Sequence, residues 1–192
     1  MHLEFMTPTF IIGALVICLV VVVAVALYVR KRRKTTAGLR ERFGSEYDRA
    51  VAAHGSERKA EAKLADRQTR VEGLKIRELT IAERERYVAD WQAIQSRFVD
   101  HPKGAVTDAD ELVTALLKAR GYPVADFDQS AADISVNHPR LVESYRSAHN
   151  ITLRMGKEDA NTEDLRTAMI QYRSLFDELV QSETPVVVQS VA

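Results

Sequence analysis

The 192 residues hold one cysteine, Cys18, so neither a disulfide framework nor a thiolate metal site can be assembled. No glycine-rich phosphate loop, no Gly-x-Ser-x-Gly, no His-Glu-x-x-His and no Cys-x-x-Cys occurs, which removes the commonest signatures of nucleotide binding, serine hydrolysis, metalloprotease and thiol redox chemistry. No catalytic constellation is visible, so no catalytic residue, cofactor or metal ligand is expected, and an enzyme is the lesser reading. Charge is missing from one place above all: Phe10 to Val29 are twenty consecutive uncharged residues.

Fourteen of those twenty are Leu, Ile, Val or Phe. At 1.5 Å per residue, a twenty-residue helix is about 30 Å long, the thickness of a hydrocarbon core. Insertion free energies of roughly −0.4 kcal/mol per large apolar residue sum to about −6 kcal/mol, with no charge opposing them. A lone strand is excluded, because its backbone would be unpaired in lipid. Ala24-Val25-Ala26 has the small-x-small form of a signal-peptidase site. However, Met1 to Thr9 carries no Lys or Arg, and five basic residues follow the run, so an uncut anchor is expected. A lipoprotein signal at Cys18 fails because Val16 and Ile17 are large.

Arg30, Lys31, Arg32, Arg33 and Lys34 follow at once. Basic residues stay on the cytoplasmic side, so the N-terminus is expected outside and everything from Thr35 inside, with this collar at the membrane interface. The collar hides an asymmetry in the net charge of zero. The first 34 residues hold five of the 27 basic residues and one of the 27 acidic ones; the other 158 hold 22 and 26, a net of −4. That portion has no basic stripe, which argues against nucleic acid as a partner, and is long enough for one domain.

Periodicity behind the collar is helical throughout. A stripe of Leu39, Phe43, Tyr47, Ala50 and Val51 predicts a helix over 37–53, weakened at Gly44. His54-Gly55-Ser56 breaks it, and Ser56 caps a charged helix over 57–73, in which Asp66 and Arg70 are spaced to pair. Thr80 to Glu83 forms a capping box ahead of Tyr87, Trp91, Ile94 and Phe98 on one face. Pro102 ends that helix. Thr107 or Asp108 begins the next, which Gly121-Tyr122-Pro123 stops. A short helix over 126–133 follows; then Asn137 or His138 caps another, with Pro139 in its first turn. Thr162 caps the last, striped by Leu165, Met169, Tyr172, Phe176 and Leu179. The fold class is all-α: a short external segment (1–9), a transmembrane helix (10–29), a basic collar and linker (30–38), a cytoplasmic domain of about five to seven helices (39–182) and a disordered tail (183–192).

Candidate chemistry yields to plainer readings. His138 and His149 are about 16 Å apart along one helix, too far to share a metal. Asp126, Asp128 and Asp133 lack the Gly and Glu that a calcium loop needs, at Ala131 and Asn137, and read as a solvated helix start. His101-Pro102-Lys103 and His138-Pro139-Arg140 sit at helix boundaries. Arg84, Arg86 and Arg97 lie among acidic neighbours. Ala14 and Cys18 form a weak small-xxx-small pair in the span.

The stretch from Leu39 to Arg49, Leu-Arg-Glu-Arg-Phe-Gly-Ser-Glu-Tyr-Asp-Arg, follows closely on the apolar run. With Glu83 to Tyr87, Phe98 to Asp100, Arg120 to Pro123, Asp133 to Pro139 and Thr162 to Arg166, it resembles a family of bacterial single-pass membrane proteins to which no activity is assigned. Members often carry Pro where Ser45 stands. The resemblance implies a bacterial inner-membrane location and adds no site. The reading is a membrane-anchored interaction or scaffold protein, with the bilayer and a protein as partners and the charged helix as its first candidate surface. The alternatives are a tethered enzyme, which needs a cleft with convergent polar groups and would be favoured by a pocket joining His138 or His149 to Asp133 or Glu143, and a self-assembling structural protein, a homo-oligomer.

Overall fold

The structure, a computed structural model, describes residues 8–157 and 159–181, with backbone alone at 8–12 and 14. Among the described residues there are eight helices and no strand: α1 (Pro8–Phe43), α2 (Ser45–His54), α3 (Glu57–Glu72), α4 (Ile81–Arg97), α5 (Pro102–Ala119), α6 (Phe127–Asn137), α7 (Val142–Met155) and α8 (Thr162–Gln181). The chain is all-α. It divides into two compact units, Met1–Glu41 and Arg42–Ala192.

In the first unit α1 is helical through residues 30–38. Every residue from Leu15 to Val29 is exposed, on all faces of the helix, as in a helix whose apolar surface has no protein to pack on. Those fifteen residues span about 22 Å, short of a bilayer. Among the described residues no helix is long and apolar enough to cross a membrane; the run expected to span, 10–29, includes side chains at 10–12 and 14 that lie outside the described set. So does the expected tail, 183–192.

The second unit begins with an elbow. Gly44 has φ 52° and ψ −127°, a combination open to glycine and strained for any side chain. The single helix expected over 37–53 is therefore two, and Gly44 is a joint where a weakened helical position was expected. Ser45 stands at the first residue of α2, a position that tolerates proline.

A contiguous apolar core, from Leu79 to Val180, is built by α4 to α8. α5 packs on α4, α7 and α8, and α8 on α5 and α7. Because α8 packs on α5 and α7 and also meets α4, its buried stripe is wider than a single seam: Ala168, Leu175 and Val180 join Leu165, Met169, Tyr172, Phe176 and Leu179. Trp91 of α4 stacks on Phe176, centroids 4.9 Å apart. The aromatic stripe of α4 is thus core, with Phe98 half-buried at its end.

Thr80 and Glu83 cap α4 reciprocally as expected, at 2.9 and 3.2 Å. The Arg77 guanidinium adds two bonds to Glu83; that pairing and the Thr80 N–H depress the Glu83 pKa to about 2, so the box stays ionised through mild acid. Three boundaries differ from expectation. α5 begins at Pro102, five residues early, because proline at N1 forfeits only an N–H that would be unpaired anyway. α8 is capped by Asn161 rather than Thr162: its Oδ1 accepts from Asp164 N–H while Asp164 accepts from Asn161 N–H. His138 ends α6 and starts nothing. The Asn137 amide donates to the Tyr122 hydroxyl at 3.0 Å, and the His138 ring faces Glu178, so both side chains are engaged in tertiary contacts and α7 begins only at Val142.

Candidate binding cleft

α2, α7 and the start of α8 enclose a cleft of about 520 Å³. α2 contributes Ser45, Glu46 and Arg49; α7 contributes Glu143, Arg146, Ser147, Asn150, Ile151 and Arg154; α8 contributes Asp164 and Thr167. At its base lies Glu46, only 4% exposed. Its carboxylate is 3.4 Å from Arg146 and 3.5 Å from Arg67 of α3, with Arg49 at 4.0 Å. Arg146 reaches on to Asp128 at 3.0 Å, and Arg67 donates to Ser135 at 3.0 Å. Burial lowers the Arg67 pKa and Glu46 opposes it. One buried carboxylate among arginines of α3 and α7 satisfies the rule that a charge taken from water must be paired.

The other charges are looser. Arg154 pairs with Asp164 at 3.2 Å, both partly exposed. Glu143 accepts only a long 3.4 Å bond from Ser45. Ser147, Asn150 and Thr167 engage no partner among the described residues. The cleft therefore combines a fixed charged base with a rim of uncommitted donors and acceptors. Its buried apolar side chain is Ile151, unlike the mainly hydrophobic lining of small-molecule pockets.

A second buried carboxylate is paired with an exposed guanidinium. Asp133, 0% exposed, accepts from Arg70 Nε and from the Gln129 amide at 2.9 Å each. Two expectations fall here. Arg70 pairs across helices with Asp133 while Asp66 faces Lys63, because a buried carboxylate holds a guanidinium more firmly than a solvated one. And Asp133 is core, not solvated helix start; Asp126, accepting from Gln129 N–H at 2.8 Å, and Asp128, exposed in the first turn of α6, keep that role.

The two histidines are apart from the cleft. His149 stacks on Phe127, centroids 3.6 Å apart, and faces Asp110 at 3.7 Å. Asp110 accepts from the buried Tyr172 hydroxyl at 2.8 Å; burial raises the Tyr172 pKa, and that of Tyr145 to about 12. His138 Nδ1 is 3.2 Å from Glu178. Neither histidine meets Asp133 or Glu143, so the particular pocket that would favour the enzyme reading is not formed by these residues. Among the described residues no group of three or more His, Cys, Asp or Glu is placed to hold a metal. Arg30 to Lys34 are all exposed on α1. Arg97 pairs with Asp108 at 2.8 Å and Arg86 lies over the Tyr87 ring. Cys18 is exposed, and the Ala14 side chain lies outside the described set.

Burial, opposed by Glu178, lowers the His138 pKa below 6.5. The folded state thus disfavours the imidazolium while the unfolded chain accepts its proton at ordinary pH. This stability is fully present above pH 6.5 and is lost as pH falls through the folded pKa. Denaturant unfolding across that window should show the fall in the native chain and a flatter profile in His138→Gln.

The chain matches no protein-family model, no curated protein and no solved structure. Sequence reasoning passed over Glu46 and Arg146. Glu46 lies in the first turn of a helix, where a carboxylate is ordinary, and its partner stands 100 residues away, so local spacing carries no signal of it.

Proposed function

We propose that the chain is a membrane-anchored interaction protein whose helical unit offers the α2/α7/α8 cleft to a polar segment of a protein partner. The observation that carries this is the cleft's rim: Ser147, Asn150 and Thr167 uncommitted, flanked by arginines and carboxylates. Arginine is enriched at protein interfaces, and a mixed polar lining suits a peptide with both donors and charges. The anchor reading rests on the uncharged run 10–29, the all-round exposure from Leu15 to Val29 and the basic collar. On that reading the unit lies on the cytoplasmic side of a bacterial inner membrane, where tethering raises its local concentration beside membrane partners. The outer face of α3 is the weaker candidate, since Arg67 and Arg70, two of its five basic side chains, turn inward.

Mild-detergent capture from native membranes tests this with two variants that break no buried pair. Asn150→Arg with Thr167→Arg fills the rim and should abolish capture at unchanged melting temperature; Arg58→Glu with Lys63→Glu on α3 should leave it intact. The reverse pattern would move the partner surface to α3.

A further inference from the structure

The α2–α3 hairpin has its own small apolar contact and is tied to the remainder of its unit by a set of charged side chains. Tyr47, Ala50, Ala60, Leu64 and Val71 are buried, yet none belongs to the core that runs from Leu79 to Val180. Tyr47 Oη donates to Glu61 across the hairpin at 3.1 Å, an internal tie. The polar contacts that cross to α6 and α7 are Arg67 to Ser135, Arg70 to Asp133, Arg146 to Glu46 and Ser45 to Glu143.

Such a seam holds weakly. Apolar burial stabilises by about 25 cal/mol per Å², whereas the attraction within a buried ion pair is largely offset by desolvation. Asp133 shows that cost: its Oδ2 has no hydrogen-bond partner among the described residues. The flanks of the hairpin are built to bend at defined points. Gly44 precedes it. After it, Arg77 N–H donates to Arg120 O at 3.0 Å, Gly121 is pressed on Lys75 and Leu74 packs on the core, so the chain is pinned from Leu74 onward and Gly73 is the point left to turn.

We infer that the α2–α3 hairpin is a charge-latched arm that swings from α6 and α7 as a unit while α4 to α8 stay folded, and that its docking regulates the cleft. α2 supplies one wall, Ser45, Glu46 and Arg49, so the open arm leaves no cleft and the closed arm completes it. The gating role rests on the reading of that cleft as the partner site.

Hydrogen exchange with mass spectrometry on the full chain in mild detergent, with no partner added, tests the latch. Amides of 45–72 should exchange through a shared opening at least tenfold faster than those of α5 and α8. Arg70→Ala, which leaves Asp133 buried with Gln129 alone, should speed arm exchange about tenfold more without moving α5 or α8. Arg70→Met with Asp133→Leu, an apolar pair in the same place, should slow the arm below the native rate. Three results overturn the proposal: one common rate for arm and core, equal acceleration of both in Arg70→Ala, or an arm no slower in the double variant. Because no partner takes part, a failed capture experiment leaves this outcome unchanged, and a failed latch leaves capture to stand by itself.

Discussion

Gly121→Ala is expected to lose about 2–4 kcal/mol of folding stability, the upper range for a single substitution, and on the order of 10 °C of melting temperature. Two causes add. Gly121 has φ +95°, which costs a non-glycine residue about 1–3 kcal/mol. A Cβ there would lie 2.4 Å from the Lys75 carbonyl oxygen, a backbone atom that cannot rotate away. Retreat of Lys75 is opposed by the Arg77 N–H bond to Arg120 O two residues on. The same glycine closes α5: its N–H donates to Lys118 O, and Tyr122 N–H to Leu117 O, both at 3.0 Å, the paired bonds of a Schellman motif. Gly104→Ala is the matched control. It lies within α5, φ is not positive, and its Cβ would meet only His101 Cβ at 4.0 Å, so a gain of about 0.4–1 kcal/mol is expected. Chemical denaturation of both variants checks the pair. Equal effects of the two would mean that the close approach of Lys75 to Gly121 costs nothing.

Replacing Arg30, Lys31, Arg32, Arg33 and Lys34 by neutral residues is expected to convert one orientation into a mixture. The flank before the uncharged run carries no Lys or Arg and the flank after it carries these five, so orientation under the proposed anchor depends on a single cluster. The 158 residues that follow cannot substitute for it, since their net charge of −4 is not attracted to anionic headgroups, each collar residue being worth about 1 kcal/mol there. A reporter fused after Ala192 should be wholly cytoplasmic in the native chain and split between the two sides in the neutral-collar variant. A variant that remained wholly cytoplasmic would show that the collar does not set topology.

The helices were legible because each has a local signature: the Thr80–Glu83 box, Ser56 accepting from Lys59 N–H, the stripe of α8. The boundary at 137–138 was misread because of distant competition. Asn137 and His138 look like caps by residue type, and their side chains serve as caps only if nothing distant competes. Tyr122 and Glu178 do compete. Pro102 is ambiguous for another reason, since the same ring ends one helix and begins the next. The cleft was illegible because its base joins Glu46 to Arg67 and Arg146, residues far apart in the chain whose charges look solvated one at a time.

What the amino-acid sequence by itself determined is the helical class, the core faces of α4 and α8, and the abrupt change from an uncharged run to a basic collar. All of these follow from interactions within a few residues or from composition. Only the tertiary structure decided which charges are buried. A carboxylate is held inside when guanidinium groups from other helices converge on it, and convergence depends on packing rather than spacing. Glu46 and Asp133 became the ties of α2 and α3 to α6 and α7 for that reason, and with them the cleft and its latch came into being.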